Sequence, residues 1–114
     1  MTALSTGLAV GLAVFFAGLG TAKLLAVALM RRAAAHFGLP TNAYRSLGAL
    51  EIAGAMGLLL GLALPVIGAL AGVGLLLLLV GALVSHVRVG DRLREATPAL
   101  VAGVLVATML AVQW

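Results

Sequence analysis

Four long apolar stretches divide this chain, near Leu4–Met30, Arg45–Leu64, Pro65–Val87 and Pro98–Trp114, with short polar segments between them. A helix needs about 17–25 predominantly apolar residues to cross a hydrocarbon layer of roughly 30 Å, and each stretch meets that need. Arg31 and Arg32 close the first stretch, Pro40 precedes the second, Pro65 separates the second from the third, and Pro98 opens the fourth. Proline is comfortable at a helix start because the first amide has no helical partner to lose. The pattern predicts an all-α polytopic membrane protein. Its expected form is a four-transmembrane-helix bundle of about residues 4–30, 45–64, 65–87 and 98–114, filling the chain 1–114 as one domain. The first stretch lacks a basic leader and exceeds the apolar core of a signal peptide, so it is expected to be retained.

Composition agrees with the pattern. Apolar residues make up 64% of the chain and charged residues 9%, and the mean hydropathy is +1.28. So small a domain cannot hide that much apolar surface from water, which leaves lipid as the solvent for most of it. The net charge of +4 and pI near 11.3 suggest a nucleic-acid binder only superficially, because no basic helix or aromatic platform accompanies them; no nucleic-acid partner is expected. The basic residues instead report topology: Lys23, Arg31, Arg32 and Arg45 flank the first polar loop, and Arg88, Arg92 and Arg94 lie in the second. Basic residues near helix ends stay in the cytoplasm, so both loops are expected there, with both termini on the non-cytoplasmic side. Cysteine is absent, which excludes thiol redox chemistry and thiolate-held metal on this chain.

Fifteen glycines imply close helix packing. Gly7 and Gly11, Gly57 and Gly61, and Gly68 and Gly72 form small-xxx-small pairs, which let helix backbones approach in lipid. Packing within the chain is their simplest use, although such faces also lead us to expect a homo-oligomer.

Three ionisable side chains, Lys23, Glu51 and His86, fall inside or at the edge of the predicted spans. A charged, unpaired residue at the bilayer centre costs about 2.5–3.5 kcal/mol or more, so each is a functional candidate. Lys23 lies seven residues before Met30 and Glu51 six after Arg45, which puts both about 10 Å below the cytoplasmic interface on straight helices. Gly48, Gly54, Ala55 and Leu58 share a face with Glu51, while Phe16 and Gly20 share one with Lys23. A Lys23–Glu51 contact across adjacent helices is therefore expected. It serves either to fix helix register or, joined by His86, Tyr44 and Arg45, to line a small polar cavity open to the cytoplasmic interface. His36 sits in the loop His36–Pro40, His86 is expected to hydrogen-bond at its helix end, and no haem or other metal site is expected. Arg88, Asp91, Arg92, Arg94 and Glu95 read as a solvated segment facing lipid headgroups. No nucleotide-binding, nucleophile-elbow or zinc motif is present.

Several strings resemble the DoxX-like family of small bacterial four-helix membrane proteins: GTAKL at Gly20–Leu24, HFGLP at His36–Pro40, YRSLGALEIAGAMGLLLG at Tyr44–Gly61 and GALVSHVRVGD at Gly81–Asp91. The likeness runs over almost the whole chain, and its most specific part is the glycine-flanked LGALE segment carrying Glu51. It implies a multi-pass protein of a bacterial inner (plasma) membrane. It further implies a link to quinone-reducing thiosulfate oxidation or other membrane oxidoreductase assemblies, with quinone as the one cofactor and none held covalently. Carried over by position, the implied catalytic residues are Lys23, Glu51 and His86, and the implied ligand-binding residues are Tyr44, Arg45, Phe16 and Gly48. The lack of cysteine rules out any version of that chemistry using a thiol on this subunit.

The leading expectation is a subunit or binding module that holds a quinone-like or other small hydrophobic molecule near the cytoplasmic interface and works with a redox partner subunit. One alternative is a stand-alone membrane enzyme using the Glu51, Lys23 and His86 acid–base group on a lipid-soluble substrate, by epoxide opening or isomerisation. Another is a small proton-coupled transporter, disfavoured because the glutamate lies near one end of its helix and aromatic residues are only 4%.

Overall fold

The computed structural model describes residues 2–113, which form five α-helices and, among the described residues, no strand. They are α1 (Ala3–Leu24), α2 (Ala28–His36), α3 (Thr41–Leu60), α4 (Pro65–Arg88) and α5 (Leu93–Val112). Three of them, α1, α4 and α5, are long and apolar enough to cross a membrane. α3 has comparable length, but Asn42, Arg45 and Glu51 dilute its apolar character.

Two helix boundaries differ from the sequence expectation for identifiable reasons. The stretch expected as one helix to Met30 breaks after Leu24. The Val27 amide donates to the Ala22 carbonyl at 3.3 Å and the Ala26 amide to that of Lys23 at 3.0 Å, while Ala26 takes a φ of +50°. This double closure around a left-handed residue normally employs glycine. The Arg31 guanidinium donates to the Ala26 carbonyl at 2.6 Å and braces the turn. An apolar run cannot by itself distinguish a continuous helix from two helices joined by a tight turn, and here the turn separates α1 from α2. The second difference is Pro98, which lies inside α5 and does not start it: the helix begins at Leu93. Glu95 in the first turn suits the positive end of the helix dipole. Smaller shifts start α3 at Thr41 and end it at Leu60, and Pro65 occupies the first turn of α4 as expected. Trp114, the expected end of the last stretch, lies outside the described residues.

Four helices close a ring, α1 on α3, α3 on α4, α4 on α5 and α5 on α1, while α2 packs against α3. Small residues set the spacing. A methyl group added at Gly20 would lie 2.6 Å from the Gly48 carbonyl oxygen, and one added at Gly48 would lie 2.6 Å from that of Gly20. The backbones of α1 and α3 thus touch directly. Along α3, Gly54, Gly57 and Gly61 meet Leu75, Ala71 and Gly68 in turn, an antiparallel register that leads into the short connection to α4. Gly72 continues the series against Met109 and Leu110 of α5. Between these approaches Phe16, Leu58, Leu75 and Val106 fill the centre and are essentially unexposed. Val14, Leu70, Leu77 and Val104 point outward and are mostly exposed, the reverse of a water-soluble bundle. The longest dimension, 40 Å, matches the roughly 40–45 Å of a bilayer with its headgroups.

Because lipid tails are as apolar as the core, close packing and not water exclusion holds these helices together. Gly20→Val is therefore expected to force α1 off α3 and to destabilise the bundle by about 1–3 kcal/mol, whereas the same change at Gly18, which faces open space, is nearly silent. Unfolding in mixed micelles, followed by circular dichroism, compares the two.

Candidate functional site

The glycine contact between α1 and α3 brings the helices close enough for a long side chain on one to reach across to the other. Lys23 follows Gly20 by three positions and Glu51 follows Gly48 by three, so each charged side chain projects beside the contact. The Lys23 ammonium donates to Glu51 Oε1 in a direct ion pair, with the two side chains 15% and 7% exposed. The ammonium also lies 5.2 Å from the centre of the Tyr44 ring, within the range of a cation–π contact. Glu51 Oε2 is different: it is buried and has no hydrogen-bond partner. An unsatisfied acceptor in the interior costs on the order of 1–3 kcal/mol, so this oxygen is a standing demand for a proton or a donor.

Helix ends build a second polar cluster. Gly38 and Gly90, at φ of +71° and +75°, terminate α2 and α4 in left-handed turns that the absent side chain permits. These turns bring His36, His86 and Asp91 together. His36 Nε2 lies 2.8 Å from Asp91 Oδ1, and His86 Nδ1 lies 2.6 Å from Asp91 Oδ2. An ionised carboxylate only accepts, so each imidazole donates from the nitrogen that faces it. The Phe37 ring packs edge-on against His86, with centres 5.0 Å apart. Desolvation pushes the Asp91 carboxyl up, but hydrogen bonds from His86 and His36 and their charges outweigh it and hold Asp91 below the usual carboxylate range.

The structure thus brings Lys23, Glu51, Gly48 and Tyr44 together and separates other candidates from them. His86 does not join the pair. The α3–α4 register places Glu51 level with Leu78, eight residues or roughly 12 Å along α4 from His86. Arg45 is exposed and makes no ion pair among the described residues, and Phe16 lies in the apolar core against Phe15. Lys23 occupies the last turn of α1, so it is not seven residues deep in a helix running to Met30. Asp91, expected in a solvated loop, has a side chain only 9% exposed. Sequence reasoning missed the His36–Asp91 link because the partners are 55 residues apart; the nearest signal was the Gly38 and Gly90 helix stops. No group of three metal-ligating side chains among the described residues could hold an ion.

The cavities lie elsewhere. One, of about 10 Å³, has room for a single water between Ser5, Gly68, Met109 and Gln113. The other is an apolar groove of about 420 Å³ between α1 and α5, walled by Gly7, Gly11, Phe15, Pro98, Val101 and Leu105.

Two outcomes follow. Lys23→Met strands a buried carboxylate and should destabilise the fold by roughly 3 kcal/mol, while Glu51→Leu leaves a lysine at a helix end that can reach the headgroups and costs less. The double variant should be more stable than Lys23→Met alone; additive losses in urea titrations would show that the pair does not interact. Because the folded-state pKa of Asp91 is depressed, the unfolded chain binds the extra proton. The Asp91 contribution is therefore complete above the ordinary value near ~3.9 and is lost as pH falls through the lowered one. Hydrogen exchange of α2 amides should rise in that acid window and lose this dependence in Asp91→Asn.

No curated protein and no solved structure matches the chain. The DoxX-like family matches residues 7–109, a segment that contains both Lys23 and Glu51 as well as the His36, His86 and Asp91 cluster, and the chain belongs to that family.

Proposed function

We propose that this protein is a four-span membrane module of a bacterial plasma membrane that holds a quinone-like or other small hydrophobic molecule in a redox-linked system, with Glu51 engaging the head of that molecule. The reading of α3 as the fourth crossing rests on direction. α3 runs antiparallel to α1 and to α4, so α1 and α4 run the same way, and a chain that crosses twice in one direction must cross back between them. With the basic loops in the cytoplasm, both termini lie outside.

The observation that carries the functional reading is the buried, unpartnered Glu51 Oε2. A ligand hydroxyl satisfies it, while the neighbouring Lys23 ammonium already occupies the other carboxylate oxygen, Oε1. Neither of the cavities described above adjoins the pair, so binding beside Glu51 calls for Lys23 to withdraw. Its position in the last turn of α1 lets the side chain swing toward the headgroups, whereas the Tyr44 ring already lies beside the ammonium in the paired state. One observation favours a purely structural role for the pair: the close packing of Gly20 on Gly48 beside it pins the register of α1 on α3.

The two roles separate in a binding titration of the purified protein with a reduced menaquinol analogue, whose hydroxyls can donate to Oε2. Glu51→Gln keeps the side-chain shape and should weaken binding at least about tenfold, the value of a hydrogen bond to a charged group. Equal affinity in wild type, Glu51→Gln and Lys23→Met leaves only the structural role. The absence of native cysteine allows the topology to be read with single introduced cysteines, at the exposed Asn42 for the cytoplasmic side and Ala63 for the opposite one.

A further inference from the structure

The groove between α1 and α5 is the largest hollow among those described, and neither the ion pair nor the histidine cluster lines it. Its floor exists because two residues lack side chains: a methyl group at Gly7 or Gly11 would meet nothing within 4 Å. Its α5 wall carries Pro98, Val101 and Leu105, one face of a helix at spacings of three and four. Continuing that face one turn toward the polar end reaches Arg94, four residues before Pro98. The Arg94 side chain is 81% exposed and only loosely tied to Glu95, at 3.7 Å. Helical side chains lean toward the helix N-terminus, so the guanidinium of Arg94 rises away from the groove at its polar end. Arg88 and Arg92 are exposed in the same connection, and Asp91 is occupied by the two histidines, which leaves the mouth of the groove cationic. Pro98 adds an acceptor there, because its missing amide cannot bond the Arg94 carbonyl in the helical pattern.

We propose that this seam is a binding site for one anionic phospholipid, with an acyl chain in the groove, the phosphate at Arg94 and a headgroup hydroxyl facing the Arg94 carbonyl. The combination selects the ligand. A dry channel takes hydrocarbon, an exposed guanidinium at its mouth, only loosely paired with Glu95, takes phosphate, and the proline-freed carbonyl takes a donor such as a glycerol headgroup. A second copy of the chain fits less well, since a parallel pair meeting across this seam would bring two Arg94 side chains together with like charge.

Native mass spectrometry of the detergent-solubilised chain, titrated with palmitoyl-oleoyl phosphatidylglycerol or the matching phosphatidylcholine, tests the site. Wild type should retain one phosphatidylglycerol with about fivefold preference over phosphatidylcholine, the factor expected for one arginine near the headgroups. Gly11→Leu fills the groove and should abolish the tight adduct for both lipids. Arg94→Gln, on an exposed side chain that leaves the fold intact, should retain binding but lose the preference. Gly74→Leu, a change at another glycine facing open space, should behave as wild type. The proposal is overturned if Gly11→Leu binds phosphatidylglycerol as wild type does, if wild type does not discriminate between the lipids, or if Gly11→Leu splits a dimer while lipid retention stays constant.

Discussion

Two helix backbones touch where Gly20 meets Gly48, and no larger residue at either position leaves room for that approach. The approach lets a lysine from one helix and a glutamate from the next meet inside an apolar bundle without water between them. Separated, each charge would need its own solvation, at several kilocalories per mole; joined, they are tolerated near the lipid. The pair in turn fixes how far α1 slides along α3, and the α3 register is passed to α4 and α5 through further glycine contacts. The site and the scaffold therefore rest on one constraint, the thinness of the α1–α3 seam.

The seams are not equivalent. Those of α3 with α1 and α4, and of α4 with α5, are closed by residues that approach to van der Waals distance or less room than a methyl group requires. Between α1 and α5 the glycines face empty space and the helices stand apart around a hollow. A membrane bundle gains little from burying such a hollow, because hydrocarbon fills it as readily as a side chain does. The ring is rigid on three sides and adaptable on the fourth.

Much of this was legible in the residues. The apolar spacing gave the all-helical class, and the small faces flanking Lys23 and Glu51 indicated that the two would meet. Family membership was readable from strings such as the one around Glu51. What was hidden depended on turns and on distance along the chain. The left-handed turn at Ala26 employs a residue that ordinarily avoids that conformation, so nothing marked the break between α1 and α2. Pro98 looked like a helix start because proline favours that place, yet the polar turn before it continues the helix. Asp91 looked solvated because its neighbours are charged, whereas its partners come from two separate helix ends.

The two polar clusters also differ in when their members become available. Lys23 and Glu51 both belong to the first half of the chain, so they can combine as soon as the second long helix has left the ribosome. His36 must wait for Asp91, 55 residues further on. In a chain made from its N-terminus, the inner pair can form during synthesis, while α2 has only its packing on α3 until the last connection appears. The end of α2 is thus the last part of the polar framework to be tied down, since its carboxylate partner follows the whole of α4 in the chain.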